Sequence, residues 1–271
     1  MRVPKAGAAA AVIGLALTAT GCGGDEGPQG TLSVGIKFDQ PGVGYREPGG
    51  TFSGFDVDVA TYIGKELGYK PEQISFKKVD SSDRELLLQY NEVKFVAASY
   101  SISDKRKEQV DFAGPYFIAH QDLLVRAGEN SITKAEDLNN KELCSVTGST
   151  SAQNIKQTLA PKASLLELQS YSECIVALEE GRVAAMTTDN SILAGYAAKK
   201  ENAGKFKLVG LNLSNESYGI GIKKGSKDLQ AKINAALKKM VQDGSWDAAV
   251  KKNFGPANYK NEPAPPITTG S

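Results

Sequence analysis

The chain has 271 residues, and its 32 lysines and arginines nearly balance 31 aspartates and glutamates. This balance gives no overall positive field, so we expect no nucleic-acid partner. The sequence has no phosphate-binding glycine loop and no metal-ligand spacing, and its one histidine, His120, falls in a connector; we therefore expect no catalytic residue, no metal and no cofactor.

The N-terminal segment has the layout of an export signal. Arg2 and Lys5 form a basic head, and Ala6 to Ala19 is an apolar run too short for a comfortable membrane span. The small residues before Cys22 resemble a bacterial lipobox, after which the signal is removed and the cysteine carries lipid. The alternative is an ordinary signal followed by a chance cysteine. The predicted segments are a signal peptide at 1–21 and a flexible, glycine-rich tether at 22–30.

Strands and helices alternate through the rest of the chain. Strands are predicted at 31–38, 74–79, 95–98, 143–146, 183–186, 207–209 and 218–223. Helices are predicted at 55–67, 83–90, 151–159, 172–180, 191–200, 228–243 and 245–253. This rhythm indicates two α/β units, each with a mostly parallel sheet. The connectors near 119–126 and 215–222 have no tight turn and are candidate crossovers between the units, and the residues after Gly255 predict a loosely held tail.

Two cysteines, Cys144 and Cys174, remain once Cys22 is assigned to the anchor. In an exported chain, a remaining pair predicts a disulfide rather than a metal site or a redox motif. A bridge that closes a loop of this size adds about 3–4 kcal/mol on the chain-entropy model. The alternative is a pair of buried free thiols.

Three polar segments follow predicted strands, where open α/β sheets bind their ligands. Arg106 in the first segment suits a carboxylate, and the helix start at Thr150 in the second favours an anion. Asp189 in the third can pair with an ammonium group. Together these groups predict a site for an α-amino acid. The segments are 99–106, 147–151 and 187–190.

The chain resembles the polar amino-acid-binding proteins of ABC uptake systems, solute-binding family 3, over nearly all of residues 31–255. The motifs are Thr51–Ala60, Tyr100–Arg106 with Val110–Tyr116, Thr147–Thr150 and Asp243–Trp246. The resemblance implies the α/β, two-lobed periplasmic-binding-protein type II fold, in which two crossover strands form a hinge and the ligand lies between the lobes. It implies lobe 1 at 31–120 and 221–255, lobe 2 at 121–220 and a tail at 256–271. The implied ligand-binding residues are Ser99, Ser101, Arg106, Gly148, Ser149, Thr150 and Asp189.

The charges in the implied site favour an acidic ligand. Arg84 and Arg46 resemble positions that carry Arg in glutamate- and aspartate-binding members. Glutamate has two carboxylates and one ammonium group, and Arg106, Arg84 and Asp189 match them, with Arg46 as a further candidate. Because a buried unpaired carboxylate costs several kcal/mol, a second arginine favours glutamate over glutamine.

A further likeness concerns the predicted disulfide. The segments Leu143–Ile155 and Tyr171–Cys174 are most similar to glutamate-binding lipoproteins of Gram-positive bacteria. This likeness implies that the disulfide ties a ligand-binding strand to a helix of the same lobe. Three residues depart from the family pattern: Asn91 stands for Gly, Lys94 for Asp, and His120 for a frequent Gly in the first crossover.

The sequence thus predicts a monomeric lipoprotein, anchored at the outer face of the cell membrane. It would capture L-glutamate, or the related L-aspartate, and deliver it to an ABC permease with a separate ATPase. One alternative is an amino-acid-sensing module for a receptor. The other is an enzyme on the same fold, similar to cyclohexadienyl dehydratases, which would need a proton-transfer group in the cleft.

Overall fold

A computed structural model describes residues 1–2 and 28–270. The predicted signal peptide and Cys22 lie essentially outside the described residues, so export and lipidation stay predictions. Within the described residues, no helix is both long and apolar enough to cross a membrane.

The fold alternates strands and helices, as the sequence predicts. The strands are β1 (Leu32–Ile36), β2 (Asp39–Gln40), β3 (Gly44–Arg46), β4 (Phe52–Ser53), β5 (Ile74–Lys78), β6 (Phe95–Val96), β7 (Val110–Arg126), β8 (Glu142–Val146), β9 (Ser164–Leu168), β10 (Ala185–Asp189), β11 (Phe206–Leu208) and β12 (Asn215–Lys223). The helices are α1 (Phe55–Glu66), α2 (Arg84–Gln89), α3 (Asp104–Lys107), α4 (Thr150–Asn154), α5 (Tyr171–Glu179), α6 (Asn190–Ala198), α7 (Lys227–Gln242) and α8 (Ser245–Phe254).

Nine strands form one continuous hydrogen-bonded sheet in the order β5-β1-β6-β12-β7-β10-β8-β9, with β11 also on β7. On one side, β1 pairs in parallel with β5 and β6; on the other, β8 pairs in parallel with β9 and β10. We call the part built on β1, β5 and β6 lobe 1, and the part built on β8, β9 and β10 lobe 2. The antiparallel strands β7 and β12 link these parts, which confirms a two-lobed α/β fold with two crossover strands.

The first crossover strand is longer than the sequence predicts. β7 has 17 residues and begins at Val110, nine residues before the predicted stretch. Its first eight residues are all buried, so the strand lacks the polar–apolar alternation that marks a half-buried strand. The sequence analysis also missed β9 and the small sheet β2-β3-β4, whose strands are too short to give a clear period.

The core of lobe 1 is completed by α1 and α8, two helices that are far apart in the sequence. The ring of Phe55 in α1 lies 5.4 Å from Phe254 and 5.9 Å from Trp246, both in α8. Phe117 of β7 stacks on Phe254 at 5.2 Å. These four buried rings place the crossover strand inside the core of lobe 1, so the hinge and the core share residues.

The predicted disulfide is present. Cys144 of β8 is bonded to Cys174 of α5, with a Cα–Cα distance of 5.5 Å. It therefore ties a strand to a helix of the same lobe, as the resemblance implies. Asn91 has a φ of 57° just after α2, a left-handed conformation that asparagine tolerates better than most residues.

The loosely held tail is a wrong prediction. Tyr259 packs its ring 5.3 Å from Phe254, and the backbone N–H groups of Thr268 and Thr269 donate to the carbonyl oxygen of Gly114 at 3.0 and 3.1 Å. Composition indicated a loose tail because proline, asparagine and threonine are common there. Composition does not show that Tyr259 and the N–H groups of Thr268 and Thr269 attach the segment to the rest of the protein.

Candidate functional site

Two arginines from lobe 1 stack on one aromatic ring. The guanidinium carbon of Arg84 lies 4.0 Å from the ring centre of Tyr100, and that of Arg106 lies 5.0 Å from it. Both arginines are buried. Burial is the main cause that lowers the pKa of Arg106, to about 10, and the positive charge of Arg84 adds to it. A cation over an aromatic face is stabilised by the ring quadrupole, which offsets part of this repulsion.

Arg106 also joins the lobes. It lies in the short helix α3, which is capped by Ser103, whose hydroxyl accepts from the Arg106 N–H. Its guanidinium donates to the carbonyl oxygen of Ser101 at 2.7 Å and to that of Gly148 in lobe 2 at 3.0 Å. Glu85 lies 3.8 Å from its Nε. Arg106, Ser101 and Gly148, all predicted from the sequence, are therefore in direct contact.

Arg84 and Lys37 are buried cations with few partners. Arg84 donates to the carbonyl oxygen of Ala98 at 3.1 Å, but its buried Nε has no hydrogen-bond partner among the described residues. Lys37 directly follows β1, and its Nζ donates to the hydroxyl of Ser81 at 2.8 Å. Burial, and then the charge of Arg84, lower the pKa of Lys37 to about 7. Neither cation forms an ion pair with a carboxylate of the described chain.

Ser99 is fixed by groups from the start of lobe 1. Its N–H donates to Asp56 at 2.7 Å and its hydroxyl donates to Gln40 Oε1 at 3.0 Å. Asp56 also accepts from the hydroxyl of Tyr116 at 2.5 Å, and burial raises the pKa of Asp56 to about 6. The Nε2 of Gln40 is buried without a hydrogen-bond partner in the described chain. A free amide donor thus lies beside Ser99.

Lobe 2 contributes the turn that leads into α4. The hydroxyl of Ser149 accepts from the N–H of Ala152 at 3.0 Å and caps the helix. Thr150 donates its hydroxyl to Glu216 Oε2 at 2.9 Å, and Glu216 belongs to the crossover strand β12. Gly148 has a φ of 78°, and an added Cβ would lie 2.9 Å from Ser82 Cα. The turn therefore approaches lobe 1 more closely than a side chain would allow.

Asp189 ends β10 and is 4% exposed. Its carboxylate accepts from the hydroxyl of Tyr218 at 2.5 Å. Burial raises the pKa of Asp189 to about 7; the negative charge of Glu216 acts in the same direction, while Arg106 and Arg84 oppose it. A buried carboxylate with this pKa is readily stabilised in its charged form by a nearby cation.

The lobes are closed against each other. The N–H of Tyr171 in lobe 2 donates to Asp39 of lobe 1 at 2.9 Å. An added Cβ at Gly195 of α6 would lie 1.9 Å from the carbonyl oxygen of Pro41. Together with the bond between Arg106 and Gly148, these contacts show that the two lobes touch each other and that Arg106 lies where they meet.

One predicted residue stands apart from this set. Arg46 is exposed on β3, and its guanidinium carbon lies 5.8 Å from the ring centre of Phe38. The sequence analysis missed Lys37 and Gln40, although both closely follow the strand β1. The rule that selected Arg106 and Asp189, polar residues after a strand, would also have selected Gln40, but it misses Lys37 because Lys37 lies within the predicted strand 31–38.

Two lobes that bring charged and hydroxyl groups together beside a pair of crossover strands define a ligand-binding protein of the type II periplasmic class. A family described as bacterial extracellular solute-binding proteins, family 3, matches residues 32–256. The chain is 43% identical over 272 residues to the glutamate-binding protein GluB of Corynebacterium efficiens, covering 94% of this chain and 91% of that protein.

Two other proteins extend the comparison. The chain is 40% identical to the ABC transporter glutamine-binding protein GlnH of Bacillus subtilis, covering 82% of this chain and 80% of that one. A solved structure of an ancestral arginine-binding protein bound to glutamine matches with a TM-score of 0.78 and 38% identity, over 84% of this chain and 99% of the other. The chain belongs to the bacterial extracellular solute-binding proteins of family 3, and it is a binding protein rather than an enzyme.

Proposed function

We propose that this protein captures L-glutamate, with L-aspartate as the related acidic alternative, and delivers it to the permease of an ABC importer. The name of the relative GluB supports glutamate, whereas GlnH and the glutamine-bound ancestral protein are relatives associated with a neutral side chain. The choice between the two ligand classes therefore depends on the charges in the site.

The observation that carries the proposal is the pair of buried cations, Arg84 and Lys37. Both are nearly inaccessible, and neither forms an ion pair with a carboxylate in the described chain. Burying a charge without a counter-charge costs several kcal/mol. A ligand that brings a second carboxylate offsets this cost, whereas a ligand with a neutral amide offsets less of it.

The remaining groups suit the common part of an amino acid. Arg106 presents a guanidinium to the α-carboxylate, and the hydroxyls and backbone around Ser99, Ser101 and the turn Gly148–Thr150 supply further hydrogen bonds. Asp189 takes the ammonium group, which favours the ionised carboxylate. Because these groups come from both lobes, the ligand itself completes the closed cleft and stabilises it.

The proposed lobe boundaries, signal peptide and lipid anchor come from the sequence. We propose lobe boundaries at 31–120 with 221–255 and at 121–220, a signal peptide removed before Cys22, and a lipid on that cysteine. A binding protein held at the outer face of the membrane stays close to its permease. We further propose that it acts as a monomer.

The proposal is tested by titration calorimetry of the chain from residue 23, with L-glutamate, L-aspartate and L-glutamine as ligands. We expect micromolar or tighter binding of glutamate. Arg84→Gln leaves the second carboxylate of glutamate with Lys37 alone, so we expect the affinity for glutamate to fall by about two orders of magnitude. Arg46→Gln is the matched comparison from the exposed β3, and Arg182→Gln is the control for a surface arginine.

Each outcome separates one part of the proposal from the others. An equal loss in Arg84→Gln and Arg46→Gln places both arginines at the ligand, and a loss in Arg46→Gln alone overturns the assignment of Arg84. Tight binding of glutamine with no response to glutamate overturns the acidic ligand and keeps the family. No binding of any of the three overturns the proposed ligand class.

A further inference from the structure

The segment after α8 contacts the crossover strand β7 at two places, through Glu262 at His120 and through Thr269 at Gly114. We call residues 256–270 the C-terminal strap; apart from Pro256, they lie beyond the family match at 32–256. A turn at Gly255–Ala257 begins the segment, and Asn258 follows in a left-handed conformation with a φ of 50°. The strap then runs beside both crossover strands.

The middle of the strap touches both lobes. The ring of Tyr259 packs on Phe254 at 5.3 Å and on Phe117 at 6.5 Å, both in the core of lobe 1. Its hydroxyl donates to Asn190 Oδ1 at 2.8 Å, and Asn190 begins α6 in lobe 2. One side chain therefore connects the two lobes.

Asn190 is also hydrogen-bonded to the crossover strand β7. Asn190 Oδ1 also accepts from the N–H of His120 on β7 at 3.1 Å. The ring of His120 lies 2.9 Å from Asn215 Oδ1 on β12 and 2.7 Å from Glu262 Oε1 of the strap. A single network thus joins the strap, both crossover strands and the start of α6.

The far end of the strap is held on lobe 1. Thr269 donates its hydroxyl to the carbonyl oxygen of Gly114 at 2.9 Å, and Asn234 of α7 donates to the carbonyl oxygen of Thr269 at 2.7 Å. The strap is therefore fixed to lobe 1 through Tyr259 and Thr269, and it meets lobe 2 near its start, where the turn at Gly255–Ala257 and the hydroxyl of Tyr259 contact α6.

We propose that the C-terminal strap is a positioning element that favours closure, and that Tyr259 holds Asn190, and with it the adjacent Asp189, in the ligand-binding arrangement. Opening moves lobe 2 about β7 and β12, and Tyr259 stays packed on lobe 1. The hydrogen bond to Asn190 must then stretch or break. This inference rests on the proposed function, because it assigns Asp189 to the ammonium group of the ligand.

The test compares Tyr259→Phe with Thr269→Val. Tyr259→Phe removes one hydroxyl hydrogen bond of the strap, and Thr269→Val removes two, to the carbonyl oxygen of Gly114 at 2.9 Å and to Asn234 Oδ1 at 3.4 Å. Of these bonds, only that of Tyr259 joins the lobes. We expect Tyr259→Phe to weaken glutamate binding about two- to tenfold through faster dissociation, as the loss of one hydrogen bond predicts. Thr269→Val should leave the affinity unchanged. Stopped-flow fluorescence of the single tryptophan, Trp246, gives the dissociation rate.

A second measurement needs no ligand. Hydrogen exchange of the backbone amides at 187–192 should be faster in Tyr259→Phe than in the natural protein and unchanged in Thr269→Val. Equal exchange in the two variants, or equal affinities, overturns the role of the strap. If exchange changes as expected but the natural protein binds none of the amino acids, the proposed ligand fails and the strap contact stands.

Discussion

Asp189→Asn should stabilise the ligand-free protein above neutral pH while removing glutamate binding. The pKa of Asp189 is about 7 in the folded protein, compared with an ordinary value of 3.8. Each pKa unit corresponds to about 1.4 kcal/mol, so ionised Asp189 destabilises the folded state by about 4 kcal/mol at pH 8. Asparagine retains an oxygen that accepts from Tyr218 and carries no charge.

The sign of the pH dependence follows from proton counting. Between pH 4 and pH 7 the folded protein keeps the proton of Asp189, and the unfolded chain has released it. The unfolded state binds fewer protons, so the Asp189 contribution to stability falls as the pH rises through this window. The difference between Asp189→Asn and the natural protein should therefore be near zero at pH 4 and largest above pH 7.

Urea unfolding of the ligand-free proteins at pH 4, 6 and 8 measures this difference directly. Asp104→Asn is the control, because the Asp104 side chain is fully exposed and its replacement should not give this pH-dependent gain. A stability difference that is the same at all three pH values would refute the reasoning, and so would a loss of stability in Asp189→Asn at pH 8. Retained glutamate binding would show that Asp189 does not hold the ammonium group.

Three more predictions follow from the described contacts. Gly195→Ala places a methyl group against the backbone of lobe 1, so glutamate should bind at least tenfold more weakly in calorimetry; Gly49→Ala, with no atom within 4 Å of the added Cβ, should bind normally. Cys144→Ser with Cys174→Ser should lower the free energy of unfolding by about 3–4 kcal/mol in urea, and a smaller loss would point to residual structure in the unfolded chain. Glutamate affinity should be highest near pH 7 and about threefold lower at pH 6 and at pH 8, because Asp189 takes up a proton below this pH and Lys37 loses its proton above it; a flat profile would contradict this.

The sequence predicted the fold well because its strands and helices carry strong periodic signals. Arg106, Thr150 and Asp189 were found because each follows a strand, and the fold brings strand ends together. Lys37 lies within the predicted strand 31–38, and a single lysine there gives no pattern that separates it from a solvated one. In the structure its Nζ donates to the hydroxyl of Ser81, a contact between residues far apart in the chain that the sequence does not display.

Longer-range contacts explain the other misses. The first half of β7 is buried on both faces, so its sequence lacks the alternation of polar and apolar residues that predicts a strand. The strap was misjudged because its attachment depends on Tyr259 meeting Phe254 and Phe117, and the last of these is distant in the chain. The composition of the strap alone does not show whether another part of the protein offers a surface on which Tyr259 can pack.

The aromatic core of lobe 1 has a consequence for biosynthesis. Phe55 packs on Phe254, so a ribosome must synthesise the chain through residue 254 before this core can close. Until then, α1 lacks the partners that α8 provides, and lobe 1 exists only as an incomplete intermediate. In a chain of this topology, lobe 1 stays unfinished while all of lobe 2 is made, so the nascent chain holds its largest aromatic cluster incomplete through most of its synthesis.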